Sequence, residues 1–220
     1  MTIEQNIQKL QHRIARACEK AGRSPNEVTL VAVSKTVEAD IIEAAFNAGL
    51  RHFGESRVQE ATSKIEKLQK LKPDIVWHMV GHLQTNKAKT AASFFDIIHS
   101  VDSLKLAETL NNSSQRKLRV LIQVNVADEA TKSGFALSEI NEAVRQIGRL
   151  PNLKIEGLMT IAPWVSDTEE VRPAFRQLRQ LRDALGLRHL SMGMTDDFEI
   201  AIEEGTTLVR IGRAIFGERS

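Results

Sequence analysis

Short apolar runs alternate with longer amphipathic stretches along this chain of 220 residues. The apolar runs have the length and the β-branched composition of buried strands, and polar or glycine positions bound them. They predict eight strands, at residues 30–34, 51–54, 76–80, 97–101, 120–126, 155–160, 189–193 and 208–211. Between them, apolar residues spaced by three and four positions predict helices, for instance at 39–48, 58–71, 85–93, 138–150 and 169–185.

A further helix is predicted before the first strand. Its apolar stripe has helical spacing and consists of Ile3, Ile7, Leu10, Ile14 and Ala17. Cys18, the only cysteine, lies on the same stripe, so we expect it to be buried in this helix.

Eight strands that are each followed by a helix favour a (β/α)₈ barrel of the TIM type. The alternative is an open, doubly wound sheet, which usually has fewer strands and a glycine-rich first turn. The first turn here, Ser34-Lys35-Thr36, contains no glycine. We therefore expect an α/β protein with one barrel domain over residues 1–220, an extra N-terminal helix and no C-terminal β domain.

Composition narrows the classes of partner. The chain is 42% hydrophobic and 26% charged, which is ordinary for a globular protein, and its net charge of +2 is too small to indicate nucleic acid or an anionic membrane as a partner. One cysteine and no long apolar run predict a cytoplasmic protein without disulfides or a membrane span. We expect a solvated outer helix face from the arginines at 172, 176, 179 and 182.

Lys35 is the most informative residue, because it ends an apolar strand. A lysine at the carboxyl end of a strand in an α/β protein often faces a ligand, and partial desolvation makes its amine a nucleophile toward carbonyl groups. The alternative is a lysine whose amine extends to the surface from the strand end.

The last two predicted strands indicate an anion site. Gly212 follows the last strand, where a short helix can begin, and the preceding loop offers Gly193 and the hydroxyl of Thr195. In barrels, the loops after strands seven and eight commonly bind phosphate. The alternatives are a tight turn at Gly212 and a helix cap at Thr195.

Three further polar residues are candidates for the same site. Arg210, inside an apolar strand, either pairs with an acid such as Glu55 or faces a ligand. His78 is expected to be a hydrogen-bonded core residue, with a catalytic histidine as the alternative, whereas His82 lies in a loop at a strand end, within reach of the site. No second histidine or cysteine stands at metal-ligand spacing, so we expect no metal.

Several motifs together resemble the pyridoxal phosphate homeostasis protein family, whose fold is similar to the N-terminal barrel of alanine racemase. In chain order they are Val33-Ser34-Lys35-Thr36, Phe53-Gly54-Glu55, Val58-Gln59-Glu60, Trp77-His78, Gly81-His82-Leu83-Gln84, Asn86-Lys87, Gly157-Leu158-Met159, Ser191-Met192-Gly193-Met194-Thr195-Asp196-Asp197, Val209-Arg210-Ile211-Gly212 and Phe216-Gly217. The resemblance covers essentially the whole chain.

This resemblance implies pyridoxal 5′-phosphate (PLP) as the cofactor, bound as a Schiff base by Lys35. Arg210 would face the pyridine nitrogen, and Thr195 would hold the phosphate. The resemblance implies further contacts around the cofactor. Met194 and Ser191 would line the phosphate site, and the backbone amides near Gly212 and Arg213 would help to hold the phosphate. Asn125 would lie near the ring, and Lys132 and His82 would be secondary residues. Ser56 departs from the asparagine usual in the family, which puts any contact made by that amide in doubt.

Two functions follow from this resemblance. An arginine beside the pyridine nitrogen disfavours its protonation and weakens the cofactor as an electron sink. Alanine racemase also uses a tyrosine as second base, and this chain contains no tyrosine. We therefore expect a non-catalytic protein, a monomer, that buffers PLP or delivers it to PLP-dependent enzymes and amino-acid pools.

The rival is a slow PLP-dependent racemase or eliminase that uses Lys35 as base and His82 or Lys132 as a second acid. A third hypothesis, a Schiff-base aldolase acting on a sugar phosphate, needs no PLP.

Overall fold

The computed structural model describes residues 2–71, 73–127, 133–163, 165 and 167–217. Lys132, a predicted secondary site residue, lies outside the described residues. The strands are β1 (Thr29–Val33), β2 (His52–Glu55), β3 (Val76–Met79), β4 (Ile97–Val101), β5 (Leu118–Asn125), β6 (Phe135–Ala136), β7 (Leu153–Met159), β8 (His189–Ser191) and β9 (Leu208–Ile211).

Eight of these strands close into a parallel barrel. Neighbouring strands follow the chain from β1 to β5 and from β7 to β9, β5 pairs with β7, and β1 pairs with both β2 and β9. The predicted (β/α)₈ barrel is therefore confirmed, and the alternative of an open, doubly wound sheet is wrong. In the part of the chain that the structure describes, the short strand β6 pairs only with the end of β5, and two residues are too few to show a period in the sequence.

The helices are α1 (Ile3–Lys20), α2 (Ala39–Asn47), α3 (Val58–Lys67), α4 (Ala88–Phe94), α5 (Leu104–Ser113), α6 (Ile140–Ile147), α7 (Arg172–Ala184), α8 (Phe198–Glu203) and α9 (Arg213–Phe216). Three predicted helices are shorter than expected because one end of each is a 3₁₀ turn, at Gln69–Leu71, Thr85–Lys87 and Thr168–Val171. No helix of the described part of the chain is long and apolar enough to cross a membrane.

Helix α1 is the predicted extra helix, and it packs against α8 and α9. Thr2 and Gln5 form a capping box at its start, and its apolar stripe is buried. Cys18 is fully buried on this helix, as predicted.

The arginines of α7 differ from the solvated face that the sequence predicts. Arg172, Arg176 and Arg179 all form ion pairs with Glu204, at distances of 2.9 to 3.4 Å, and the Glu204 side chain is only 4% exposed. Glu204 follows α8, a helix whose bounds the sequence pattern did not predict. The sequence prediction therefore lacked the acid that orders these arginines.

Candidate functional site

A cavity of about 610 Å³ opens at the carboxyl ends of the barrel strands. Residues from the ends of β1, β3 and β9 and from the loops after β2, β7 and β8 form its wall. They are Val33, Lys35, Ser56, Val80, Gly81, Ile161, Met194, Thr195, Asp196, Arg210, Gly212, Arg213 and Gly217. We call this the Lys35 cavity. It brings together six of the predicted cofactor residues, which are Lys35, Met194, Thr195, Arg210, Gly212 and Arg213.

The turn that carries Lys35 has an unusual backbone. Thr36 has φ of +63°, in the left-handed region that a β-branched residue rarely adopts, at a cost of about 1–3 kcal/mol. Two contacts from α3 hold the turn. Lys64 Nζ donates to the Ser34 carbonyl at 2.7 Å, and the Thr36 amide donates to Glu60 Oε1.

Lys64 also pairs with Glu55 beneath this turn. Lys64 Nζ lies 3.0 Å from Glu55 Oε1, which also accepts a hydrogen bond of 2.7 Å from Ser34 Oγ. Glu55 is fully buried, and burial raises the pKa of its carboxyl above the ordinary value. Glu55 therefore pairs with Lys64, and the predicted ion pair between Arg210 and Glu55 is wrong.

Arg210 lies deep in the cavity wall and is 5% exposed. Its Nη1 donates to Ser191 Oγ at 2.6 Å, and its Nη2 donates to the Thr160 carbonyl at 2.8 Å. Burial lowers the pKa of Arg210 to about 10, although the nearby Asp197 carboxyl opposes this shift. The guanidinium is therefore still charged at neutral pH and remains a pure donor.

The loop after β8 and the start of α9 form the opposite side of the cavity. Gly193 has φ of +92°, and a Cβ there would lie 2.6 Å from Ala201 Cβ. Asp197 occupies the N-cap position of α8, so Thr195 is not the cap that the sequence left open. Gly212 is the N-cap residue of α9, which is the short helix that the sequence allowed at this point.

Three predicted site residues lie elsewhere. Ser191 is fully buried and contacts Arg210 on the side away from the Lys35 cavity, so it does not line that cavity. Asn125, at the end of β5, is outside the cavity wall. His82 Nδ1 lies 3.0 Å from Asp102 Oδ2. His82 lines an adjacent cavity of about 430 Å³, which shares Ser56 and Gly81 with the Lys35 cavity.

Lys64 was not identified from the sequence, and Glu60 was named only within a motif, without a role. Both lie on α3, where they form an i,i+4 ion pair with 2.6 Å between Lys64 Nζ and Glu60 Oε1. One signal was present: Lys64 follows the buried Ala61 by three positions and precedes the buried Ile65, so it lies on the apolar face of the helix. A lysine on such a face needs an acid partner.

His78 is a hydrogen-bonded core residue, as expected. It is fully buried, and its two ring nitrogens lie 3.0 Å from His52 Nδ1 and 2.8 Å from His99 Nε2. No group of three or more potential ligands is placed to hold a metal ion in the part of the chain that the structure describes.

Comparison with known proteins identifies related sequences over the whole chain. The model of the alanine racemase N-terminal domain family matches residues 5–220. A pyridoxal phosphate homeostasis protein of Aquifex aeolicus is 45% identical over 228 residues, which cover 100% of this chain and 99% of that protein.

Solved structures agree with the fold. PipY of Synechococcus elongatus PCC7942, solved with PLP bound, superimposes with a TM-score of 0.86 at 37% identity, over 98% of this chain and 100% of PipY. Alanine racemase of Corynebacterium glutamicum has a TM-score of 0.68 at 18% identity, over 95% of this chain and 60% of that enzyme. The second comparison supports the barrel fold alone.

Proposed function

We propose, because this chain belongs to the pyridoxal phosphate homeostasis protein family, that it binds PLP in the Lys35 cavity and takes part in PLP homeostasis. The observation that carries this proposal is the meeting of Lys35, Arg210 and the start of α9 in one cavity. PipY, a relative over the whole chain, was solved with PLP bound.

The residues present fit the chemical groups of PLP. The aldehyde needs a primary amine, which Lys35 offers at the end of β1. The phosphate needs donors and close backbone approach, which Thr195 and the start of α9 at Gly212 supply. Gly81 lets the loops after β2 and β3 pack closely in the wall, since a Cβ there would lie 2.4 Å from the Ser56 carbonyl oxygen.

Lys35 would bind the cofactor reversibly. PLP would supply an aldehyde, which the Lys35 amine would hold as a Schiff base, with water as the leaving group. An incoming amine would take the place of the lysine on the same carbon and release the Lys35 amine, provided that it reaches the cavity, whose mouth is bordered by the exposed side chains of Ile161 and Met194. Lys64 and Glu60 hold the backbone on which Lys35 is carried.

Arg210 would determine the electronic state of the cofactor. Its two contacts to Ser191 and Thr160 leave other N–H groups for the cavity, and all of them are donors. A donor beside the pyridine nitrogen keeps that nitrogen unprotonated, which weakens the withdrawal of electrons from a bound amino acid. We therefore propose a carrier without catalytic turnover, and the absence of tyrosine from the sequence agrees with this proposal.

The recipients of the cofactor, the oligomeric state and the compartment are also proposed. Amino acids and PLP-dependent enzymes would receive the cofactor by amine exchange, and the protein would act as a monomer in the reducing cytoplasm, where its single buried cysteine stays a thiol.

Reduction by borohydride tests the proposal directly. The wild-type protein, Lys35→Ala and the control Lys89→Ala, which alters an exposed lysine of α4, are incubated with PLP and reduced. We expect a PLP-modified peptide containing Lys35 in the wild type and in the control, but no modification of that peptide in Lys35→Ala. A label found on another lysine in the wild type would contradict the proposal.

The same three proteins, loaded with PLP in deuterated water, separate a carrier from a slow racemase or eliminase. Exchange of the Cα protons of added amino acids at the rate of free PLP supports the carrier. Lys35-dependent exchange well above that rate would identify an enzyme and its substrate.

A further inference from the structure

Three histidines cross the interior of the barrel and end at Arg210. His52 Nδ1 lies 3.0 Å from His78 Nε2, and His78 Nδ1 lies 2.8 Å from His99 Nε2. His99 Nδ1 lies 2.8 Å from Ser191 Oγ, which accepts the hydrogen bond of Arg210. We call His52, His78 and His99 the histidine column. It links the start of β2 to the wall of the Lys35 cavity.

The central part of this column is shielded from bulk solvent. His78 and His99 are fully buried, and burial holds the pKa of both imidazoles well below the ordinary value. Positive charge on Arg210 lowers the pKa of His99 further. Both rings are therefore neutral, so each has one donor nitrogen and one acceptor nitrogen.

The charge of Arg210 sets the direction of the hydrogen bonds. Arg210 has only donors, so Ser191 Oγ accepts from it. The buried hydroxyl proton of Ser191 is then satisfied by donation to His99 Nδ1. It follows that His99 Nε2 carries a proton and donates to His78 Nδ1, and that His78 Nε2 donates to His52. Every donor in this sequence points away from the guanidinium.

This orientation stabilises a buried cation. Lone pairs face Arg210, and each polarised hydrogen bond strengthens the next in a medium of low dielectric constant. Among the other charged neighbours, Arg119 lowers the pKa of both His52 and His78, and Asp96 raises the pKa of His52. His189 is the other imidazole close to the column, but its Nδ1 lies 3.2 Å from Thr207 Oγ1.

We propose that His99 and His78 are positioning residues for Arg210: through Ser191 they fix the orientation in which the guanidinium faces the Lys35 cavity. This inference rests on the proposed function in one respect, because the benefit of a fixed Arg210 is the recognition of PLP. The histidine tautomers and the fixed orientation of the Arg210 side chain are properties of the protein without cofactor.

The first test is nitrogen-15 NMR of the histidine rings in the wild-type protein without PLP. The direction of the hydrogen bonds requires the Nε2–H tautomer at His78 and at His99. An Nδ1–H tautomer at either residue, or a charged imidazolium at neutral pH, would overturn the inference. This test needs no variant, so it stands even where a substitution in the core prevents folding.

The second test compares His99→Leu, His99→Asn and the control His189→Leu. Leucine removes the acceptor for Ser191, whereas the side-chain carbonyl of asparagine keeps one. In protein without PLP, we expect resolved, slowly rotating Nη signals of Arg210 in the wild type, in His99→Asn and in His189→Leu, and averaged signals in His99→Leu. Unchanged Arg210 signals in His99→Leu would overturn the inference.

Titration with PLP then connects the column to the cavity. We expect binding about tenfold weaker in His99→Leu than in His189→Leu, the size expected for one misaligned hydrogen bond to a charged group. Equal affinities of the two variants would overturn the link between the column and the cofactor. Failure of the wild type to bind PLP would instead overturn the proposed function, and the NMR results would remain.

Discussion

Lys64 stabilises the site through the contacts of its ammonium group, although it does not line the Lys35 cavity. Its Nζ donates to a backbone carbonyl and to two carboxylates, at distances of 2.6 to 3.0 Å. A buried ammonium is tolerated only where such acceptors surround it. The same contacts hold the backbone next to Thr36, whose left-handed conformation needs support from its surroundings. One side chain therefore couples the stability of α3 to the placement of Lys35.

Replacement of Lys64 tests this coupling. Lys64→Met leaves the fully buried Glu55 carboxylate without its cation, so we expect the free energy of unfolding to fall by about 3–5 kcal/mol. Urea denaturation measures this loss, and Lys67→Met, which alters an exposed lysine of the same helix, should change stability little. The double variant Lys64→Met/Glu55→Gln should recover part of the loss. Equal stability of Lys64→Met and Lys67→Met would contradict the assignment.

The elements of the barrel bring the two sides of the Lys35 cavity together. The strands β1 and β9 are neighbours, so the turn after β1 and the start of α9 follow adjacent strand ends. The loop between β8 and α8 completes the wall with Thr195. Its path depends on Gly193, since both the positive φ and the short distance to Ala201 exclude a side chain there.

Gly193→Ala is expected to disturb this loop. The strained backbone and the contact with α8 together should lower the free energy of unfolding by about 2–4 kcal/mol and weaken PLP binding, because the loop carries Thr195. The matched control is Gly186→Ala, at φ of +64° in open space, which should cost about 1 kcal/mol and leave PLP binding unchanged. Urea denaturation and PLP titration measure both effects. A normal PLP affinity in folded Gly193→Ala would argue against a role of this loop.

The whole barrel encloses polar side chains beside a small apolar cluster. Val31, Leu121 and Met159 belong to that cluster, while the histidine column crosses the same interior. The larger apolar core lies around the barrel, where the helices pack on the strands. The interior therefore serves the binding face as well as stability.

Stability of the whole molecule should fall in mild acid. His78 and His99 have a pKa well below the ordinary value because they are buried, so the unfolded state binds more protons below about pH 6.5. Folding free energy is then lost as the pH falls, by about 1.4 kcal/mol per pH unit for each histidine. Glu55 opposes this trend, because burial raises its pKa and protonation relieves the buried charge.

Urea denaturation between about pH 7.5 and pH 5.5 measures this dependence. We expect a shallower loss of stability in His99→Leu than in the wild type, and a wild-type loss in His12→Leu, which alters an exposed residue of α1. The same pH dependence in all three proteins would mean that the buried histidines do not cause the loss.

The fold was predictable because parallel barrel strands are buried on both faces and so appear as uninterrupted apolar runs. All eight predicted strands are present in the barrel, and their ends differ by a few residues. The largest differences are at the end of β8 and at the starts of β5 and β7, where Arg119 and Lys154 interrupt the apolar pattern. The bounds of the short helix α8 were not predicted, because six residues show too little of a helical period.

The site was predictable only in part. Lys35, Arg210 and Gly212 follow from their positions at strand ends, and the structure places all three in one cavity, while their roles toward PLP stay predictions. Ser191 and His82 also belong to motifs of the family resemblance. Ser191, however, lies behind Arg210, and His82 lines the adjacent cavity. Motif membership cannot distinguish these places, because the direction of a side chain depends on strand register and barrel closure.

The sequence by itself determined the class of fold and the strand ends that carry polar groups, since hydrophobic periodicity and local chain chemistry act over a few neighbouring residues. The tertiary structure decided the partners of the buried charges. Glu55 meets Lys64, and Arg210 meets Ser191 and, through it, the histidine column. These contacts join residues up to 92 positions apart, and only closure of the barrel brings such distant groups within hydrogen-bonding distance.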